Sequence, residues 1–180
     1  MSLAFVALGG NIPGPAGSPE ATLAAAAVRL ADLGRITARS SLYSTTPVGA
    51  DIAQPRFLNA VLALETTLTP FELLGAVLLI EREFGRDRVA NIPNGPRTLD
   101  LDILFYGDLV LSESSLKIPH PRIAERAFVL VPLHEIAPDL RDPRSGKTVS
   151  LLLAELSSGH ASLASSVVPV ASALWTGEKG

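Results

Sequence analysis

Apolar and polar positions along the chain change period several times, and each change marks an element. Leu3 to Leu8 is a short apolar run that stops at Gly9-Gly10, which predicts a buried strand followed by a Gly/Pro-rich loop to Gly17. Ser18-Pro19 then predicts a helix, with serine as N-cap and proline at the first helical position, running through an alanine-rich stretch to about Leu33 before Gly34. Ile36 to Ser44 reads as a second strand, and Thr45 to Pro55, with Pro47, Gly49 and Pro55, as a loop. Phe57 to Thr66 reads as a third strand. Thr69-Pro70-Phe71-Glu72 has the form of a capping box and opens a helix carrying Leu73, Leu74, Val77, Leu78 and Ile80 to a stop near Gly85. A polar loop from Arg86 to Pro96 leads into Thr98 to Tyr106, a strand by its apolar, β-branched and aromatic content.

The order β-α-β-β-α-β predicts an α+β, ferredoxin-like sandwich in which an antiparallel sheet carries helices on one face. Extra C-terminal elements follow. Val110-Leu111 and Leu116 to Ile118 read as short strands, Ile123 to His134 as helix interrupted before Pro132, and Ser150 to Leu156 as a short helix. The expected division is one domain over 1–156 and a tail over 157–180 without an assigned role, apolar again at Val167 to Trp175.

Composition narrows the classes. With 180 residues and 47% apolar content the chain is long and apolar enough to form its own core. Zero cysteines exclude thiolate metal sites and a cysteine nucleophile, and point to a reducing, cytoplasmic compartment. A net charge of −3 argues against a nucleic-acid surface. No run approaches the ~20 apolar residues that span a bilayer. Met1 leads directly into the first strand without a basic segment, so neither a membrane nor an export role is expected.

Chemistry concentrates around Asp100. Alternation along a strand puts Thr98, Asp100, Asp102 and Leu104 on one face and Leu99, Leu101, Ile103 and Phe105 on the other. Two carboxylates about 7 Å apart on one side of an apolar strand repel unless a cation joins them, and an all-oxygen pair selects Mg²⁺ or Mn²⁺. The alternative is a solvent-facing pair on an open sheet face. Arg82, Arg86, Arg88 and Arg97 fall within sixteen residues upstream. Guanidinium forks match phosphate oxygens, so acids and arginines beside Gly/Pro-rich loops suit a polyphosphate, although a solvated helix end and loop is the plainer account of the arginines alone. Ser145-Gly146-Lys147-Thr148 only imitates the end of a P-loop, because Arg141 stands where its first glycine is required, and reads as a turn.

Six blocks carry a more specific signal. They are Ala7-Leu8-Gly9-Gly10-Asn11, Ser41 to Gly49, Gln54 to Ala60, Gly95-Pro96-Arg97-Thr98-Leu99-Asp100-Leu101-Asp102-Ile103-Leu104, Ile118 to Arg122, and Arg126 to Leu133 with Ile136-Ala137-Pro138. On these the chain resembles the 6-hydroxymethyl-7,8-dihydropterin pyrophosphokinases of folate biosynthesis. The resemblance implies transfer of the terminal diphosphate of ATP to a pterin alcohol, releasing AMP. It implies two Mg²⁺ ions on Asp100 and Asp102, catalytic roles for these two with Arg86 and Arg97, and ATP contacts from Glu81, Arg86, Arg88, Arg97, His120 and Arg126. The pterin is expected between Phe57 and Phe128, with Asn59 and the backbone of Thr45, Pro47 and Val48 at its polar edge. Glu81 has the alternative of pairing with an arginine on its own helix. Gly10 stands where the family commonly has serine, which predicts a more mobile loop, and Val89 to Asn94 lacks the basic residue and tryptophan common there. Closure of the 86–96 loop over bound nucleotide is expected. The expected partners are the two small substrates alone, with the protein a monomer or weak dimer. Rival classes are a metal-dependent glycosyltransferase, which also uses Asp-x-Asp, and an RNA-binding module, which would want more aromatics and a basic face.

Overall fold

The computed structural model describes residues 1–47, 53–86, 94–159 and 166–176. Strand β1 (Ser2–Gly10) leads to α1 (Pro19–Ala31), β2 (Arg35–Arg39), β3 (Leu42–Thr45), β4 (Phe57–Thr66), α2 (Pro70–Glu83) and β5 (Asp100–Tyr106). A small hairpin follows, β6 (Leu111–Ser112) with β7 (Lys117–Ile118). A 3₁₀ turn (Ile123–Glu125), α3 (Ala127–Ile136), α4 (Val149–Gly159), β8 (Val167–Val170) and α5 (Ala173–Thr176) complete the order. The main sheet runs β5-β1-β4-β3-β8, with β2 on the same edge of β4 as β3, and its pairings are antiparallel. This is the split β-α-β arrangement of the ferredoxin-like fold.

Both helix starts follow local chemistry. Ser18 accepts from the Ala21 amide, and Thr69 and Glu72 form a reciprocal capping box. One sheet face is closed by α1 and α2, through Leu23, Ala27 and Leu30 and through Leu73, Val77 and Ile80.

The expectation of helices on one face needs correction. The opposite face carries its own core, in which Val129, Leu130 and Leu133 of α3 and Val149 and Leu152 of α4 cover Phe5, Val61, Leu104 and Phe105. Phe105 lies here because the β1–β5 register shifts between Phe5 and Val6, which pair with Phe105 and Ile103. The extra residue, Leu104, is a bulge, and it turns Phe105 away from the Leu101 and Ile103 face.

Three further local differences have identifiable causes. The single strand expected over 36–44 is two strands, because the Ser40 hydroxyl takes the Val61 amide at 2.9 Å in place of a ladder carbonyl. Helix α3 continues through Pro132, since burial of Leu130 and Leu133 outweighs a missing N–H; the break falls earlier, at Arg126. Gly10 belongs to β1, paired with Leu58, and a Cβ there would lie 2.4 Å from the Thr98 carbonyl oxygen. It is therefore a strand residue held close to the Thr98 backbone.

Part of the segment 166–176 joins the same sheet. β8 pairs with β3, and Trp175 is 2% exposed, its indole N–H donating to the Ser40 carbonyl at 2.7 Å. The segment 142–147 is a turn closed by the Arg141–Thr148 bridge, with Lys147 paired to Glu155 at 2.8 Å.

Candidate active site

Strand β5 is an edge of the sheet, which exposes backbone groups that something must satisfy. The buried carboxylate of Glu81, reaching from α2, accepts the Leu101 amide at 2.8 Å, and the His120 amide donates to the Leu104 carbonyl at 2.9 Å. With its edge held from both ends, β5 presents Asp100 and Asp102 on the α3 side. The two aspartates line one recess with Gly9, Phe57, Asn59, Arg97, Arg126 and Phe128.

Three arginines converge on the pair. Arg86 Nη2 lies 3.4 Å and Arg97 Nε 3.3 Å from the Asp100 carboxylate, and Arg126 Nη1 lies 3.4 Å from that of Asp102. Burial and the Asp100 charge push the Asp102 carboxyl up to about 6, with Glu81 adding to the effect and Arg126 and Arg97 opposing it. The carboxylates therefore repel, and the arginines relieve this only in part. An all-oxygen pair in that state fits a hard divalent cation, whose other positions are commonly filled by water and substrate phosphate oxygens. Among the described residues no group of three or more acids or imidazoles forms a metal cluster.

Burial, then the charges of Arg126 and Arg122, push His120 down to about 4, so its ring is neutral near pH 7. Its Nδ1 accepts the Arg122 amide at 3.2 Å, which leaves the proton on Nε2.

An open cleft of about 790 Å³, counting the solvent in its mouth, adjoins the recess and shares Phe57, Asn59, Arg97, Arg126 and Phe128 with it. Thr45, Thr46 and Ser166 also line it. The Asn59 amide donates to the Thr45 hydroxyl at 2.7 Å. Each aromatic ring carries a guanidinium: Arg97 lies 4.9 Å from the Phe57 centroid and Arg126 lies 5.6 Å from that of Phe128. Helix α3, which brings Arg126 and Phe128, is docked at its far end, where Glu135 accepts from the Ser41 amide and the Tyr43 hydroxyl.

The structure thus brings together Thr45, Phe57, Asn59, Glu81, Arg86, Arg97, Asp100, Asp102, His120, Arg126 and Phe128. Glu81 faces the strand amide, which the expectation of an ATP contact did not include. Pro47 is not among the residues lining either space, and Arg82 stays exposed on α2. Val48, Arg88 and most of the 86–96 loop lie outside the described residues.

Asn11 emerges as a positioning residue. It accepts the Arg97 amide at 2.9 Å and donates to Gln54 and to the Pro55 carbonyl, each at 3.0 Å. Its place after the Gly9-Gly10 pair marked it in sequence without revealing those partners.

The sequence model of the 7,8-dihydro-6-hydroxymethylpterin-pyrophosphokinase family matches residues 5–138. The chain belongs to this family. It is 46% identical over 155 residues to the 2-amino-4-hydroxy-6-hydroxymethyldihydropteridine pyrophosphokinase of Synechocystis sp., covering 85% of this chain and 75% of that one. It is 48% identical over 151 residues to the protein of the same name from Pseudomonas aeruginosa, covering 83% and 89%. Among solved structures, Plasmodium falciparum HPPK-DHPS with pteroate aligns with a TM-score of 0.67 at 16% identity, over 87% of this chain and 44% of that longer one, a likeness of fold. Within this pyrophosphokinase chain, no helix among the described residues is long and apolar enough to cross a membrane.

Proposed function

We propose that the cleft transfers the terminal diphosphate of ATP to the hydroxymethyl group of 6-hydroxymethyl-7,8-dihydropterin, giving AMP and the pterin diphosphate, a step of tetrahydrofolate biosynthesis. The observation that carries this reading is the continuity of two chemically different spaces. The recess with Asp100 and Asp102 shares Phe57, Asn59 and Phe128 with the aromatic cleft, which suits a triphosphate meeting a flat heterocycle.

Asp100 and Asp102 would hold Mg²⁺, two ions in this reading; when bound, Mg²⁺ neutralises charge on the triphosphate. Arg86, Arg97 and Arg126 move from carboxylate to phosphate oxygens as ATP enters, with Arg88 as a further phosphate partner. Leaving the carboxylates also frees the faces of Phe57 and Phe128, so the pterin slides between the two rings. Asn59 bonds its polar edge together with the Thr45 to Val48 backbone. The substrate hydroxyl attacks the β-phosphorus in line, and no side chain of the protein forms a covalent intermediate. Neutral His120 donates from Nε2 to the nucleotide, and Glu81 holds β5 in place behind the aspartates. The enzyme works in the cytoplasm as a monomer or weak dimer; the absence of cysteine supports a reducing compartment.

Product identity tests the proposal. With ATP, Mg²⁺ and the pterin alcohol, AMP and pterin diphosphate form in equal amounts; formation of ADP rejects the reading.

A further inference from the structure

Arg56 immediately precedes Phe57 and is exposed, yet its guanidinium makes four hydrogen bonds, all to neutral acceptors. Nε donates to the Ser44 hydroxyl at 2.8 Å and Nη1 to the Thr46 hydroxyl at 2.9 Å. Nη2 donates to the Ser44 carbonyl at 3.1 Å and to the Ser166 carbonyl at 3.0 Å. A planar fork that satisfies acceptors on two chain segments fixes their spacing, because its donors are set in one rigid geometry. Thr46 and Ser166 both line the cleft, as does Phe57.

Ser166 immediately precedes β8, whose Val167 pairs with Thr45 and also lines the cleft. The other end of this segment is anchored independently. Trp175 is buried, its indole donates to the Ser40 carbonyl, and its own carbonyl accepts from Arg39 at 2.7 Å. The strand therefore stays attached when the Arg56 bonds are removed, while its cleft-side start loses a tie to Thr46. The segment 166–176 lies beyond residue 138, where the match to the family model ends.

We propose that Arg56 is a positioning residue for the pterin end of the cleft: by tying Thr46 to Ser166, it makes the start of the C-terminal strand a wall of the substrate site. This rests on reading the Phe57–Phe128 end as the pterin pocket.

The test compares R56A, R56Q and R56K with the wild-type chain. In R56A and R56Q the KM for 6-hydroxymethyl-7,8-dihydropterin rises five- to twentyfold while the KM for ATP stays within twofold. Amide exchange quickens together at Thr46 and at Ser166–Val167, and the emission of Trp175 does not move. R56K recovers part of the loss, since an ammonium group carries the charge but cannot span both segments. An unchanged pterin KM, or pterin and ATP constants rising together with a shift in Trp175 emission, overturns the proposal. The exchange measurement needs no turnover: unaltered exchange at both segments in R56A also overturns it. A wild-type chain that forms no AMP is a separate failure, that of the functional reading, and the pterin clause falls with it.

Discussion

The Glu81 carboxylate holds the Leu101 amide at 2.8 Å, so a buried acid on α2 grips β5 at the residue between Asp100 and Asp102. Glu81→Ala leaves that amide without this acceptor and costs about 1–3 kcal/mol. Glu81→Gln keeps an oxygen for the bond and removes the charge that helps push Asp102 up. Denaturant melts should therefore separate the two variants, with Glu81→Gln closer to wild type. A titration followed by NMR should find Asp102 lower in Glu81→Gln.

Asp102 makes stability depend on pH in an unusual direction. Its carboxyl titrates at about 6 when folded, against an ordinary aspartate value near ~3.9. Across that interval the folded chain keeps a proton that the unfolded chain has released, so this contribution to stability falls as pH rises from about 4 to 6. Without metal, Asp102→Asn should thus gain on wild type between pH 4 and pH 7 in chemical denaturation. An equal gap at both pH values contradicts the burial and repulsion assigned to this pair.

Phe128 is expected to serve substrate binding more than folding, because it is only half-buried and one face meets a guanidinium. Phe128→Ala should weaken pterin binding by about 1–3 kcal/mol, the range for a ring stacked on an aromatic side chain. ATP binding should change far less. Calorimetric titration with each ligand measures both, and equal losses for the two ligands argue against an aromatic slot.

Trp175 is the only tryptophan of the chain, and its burial predicts blue-shifted emission that moves red on unfolding. Trp175→Ala should cost about 3–5 kcal/mol, as for other large buried aromatics cut to alanine. A smaller loss, within the range of a surface substitution, contradicts the packing of the C-terminal segment into the core.

What the sequence made legible follows from range. The aspartate pair was readable because strand alternation is local, and both helix starts were readable because Ser18 and Thr69 cap amides within three residues. Phe105 was misplaced because a bulge at Leu104 inverts alternation, and no residue there announces it. The Ser40 break was hidden because its partner, Val61, is twenty-one positions away. The C-terminal strand, interrupted by Pro169, gains its meaning from pairing with β3, where an edge position tolerates proline. Pro132 shows the reverse case, a strong local signal overridden by burial. In the site, residue types were legible, while Asn11, Arg56 and Glu135 act through contacts far apart in sequence.

The central claim is that Asp100 and Asp102 gather divalent cations against a bound triphosphate. It is tested most directly by counting bound Mn²⁺ by paramagnetic resonance, with and without a non-hydrolysable ATP analogue, in wild type and in Asp100→Asn and Asp102→Asn. The account predicts two tightly bound ions per chain only when the analogue is present, and loss of at least one in each variant. Unchanged binding in both variants would contradict it.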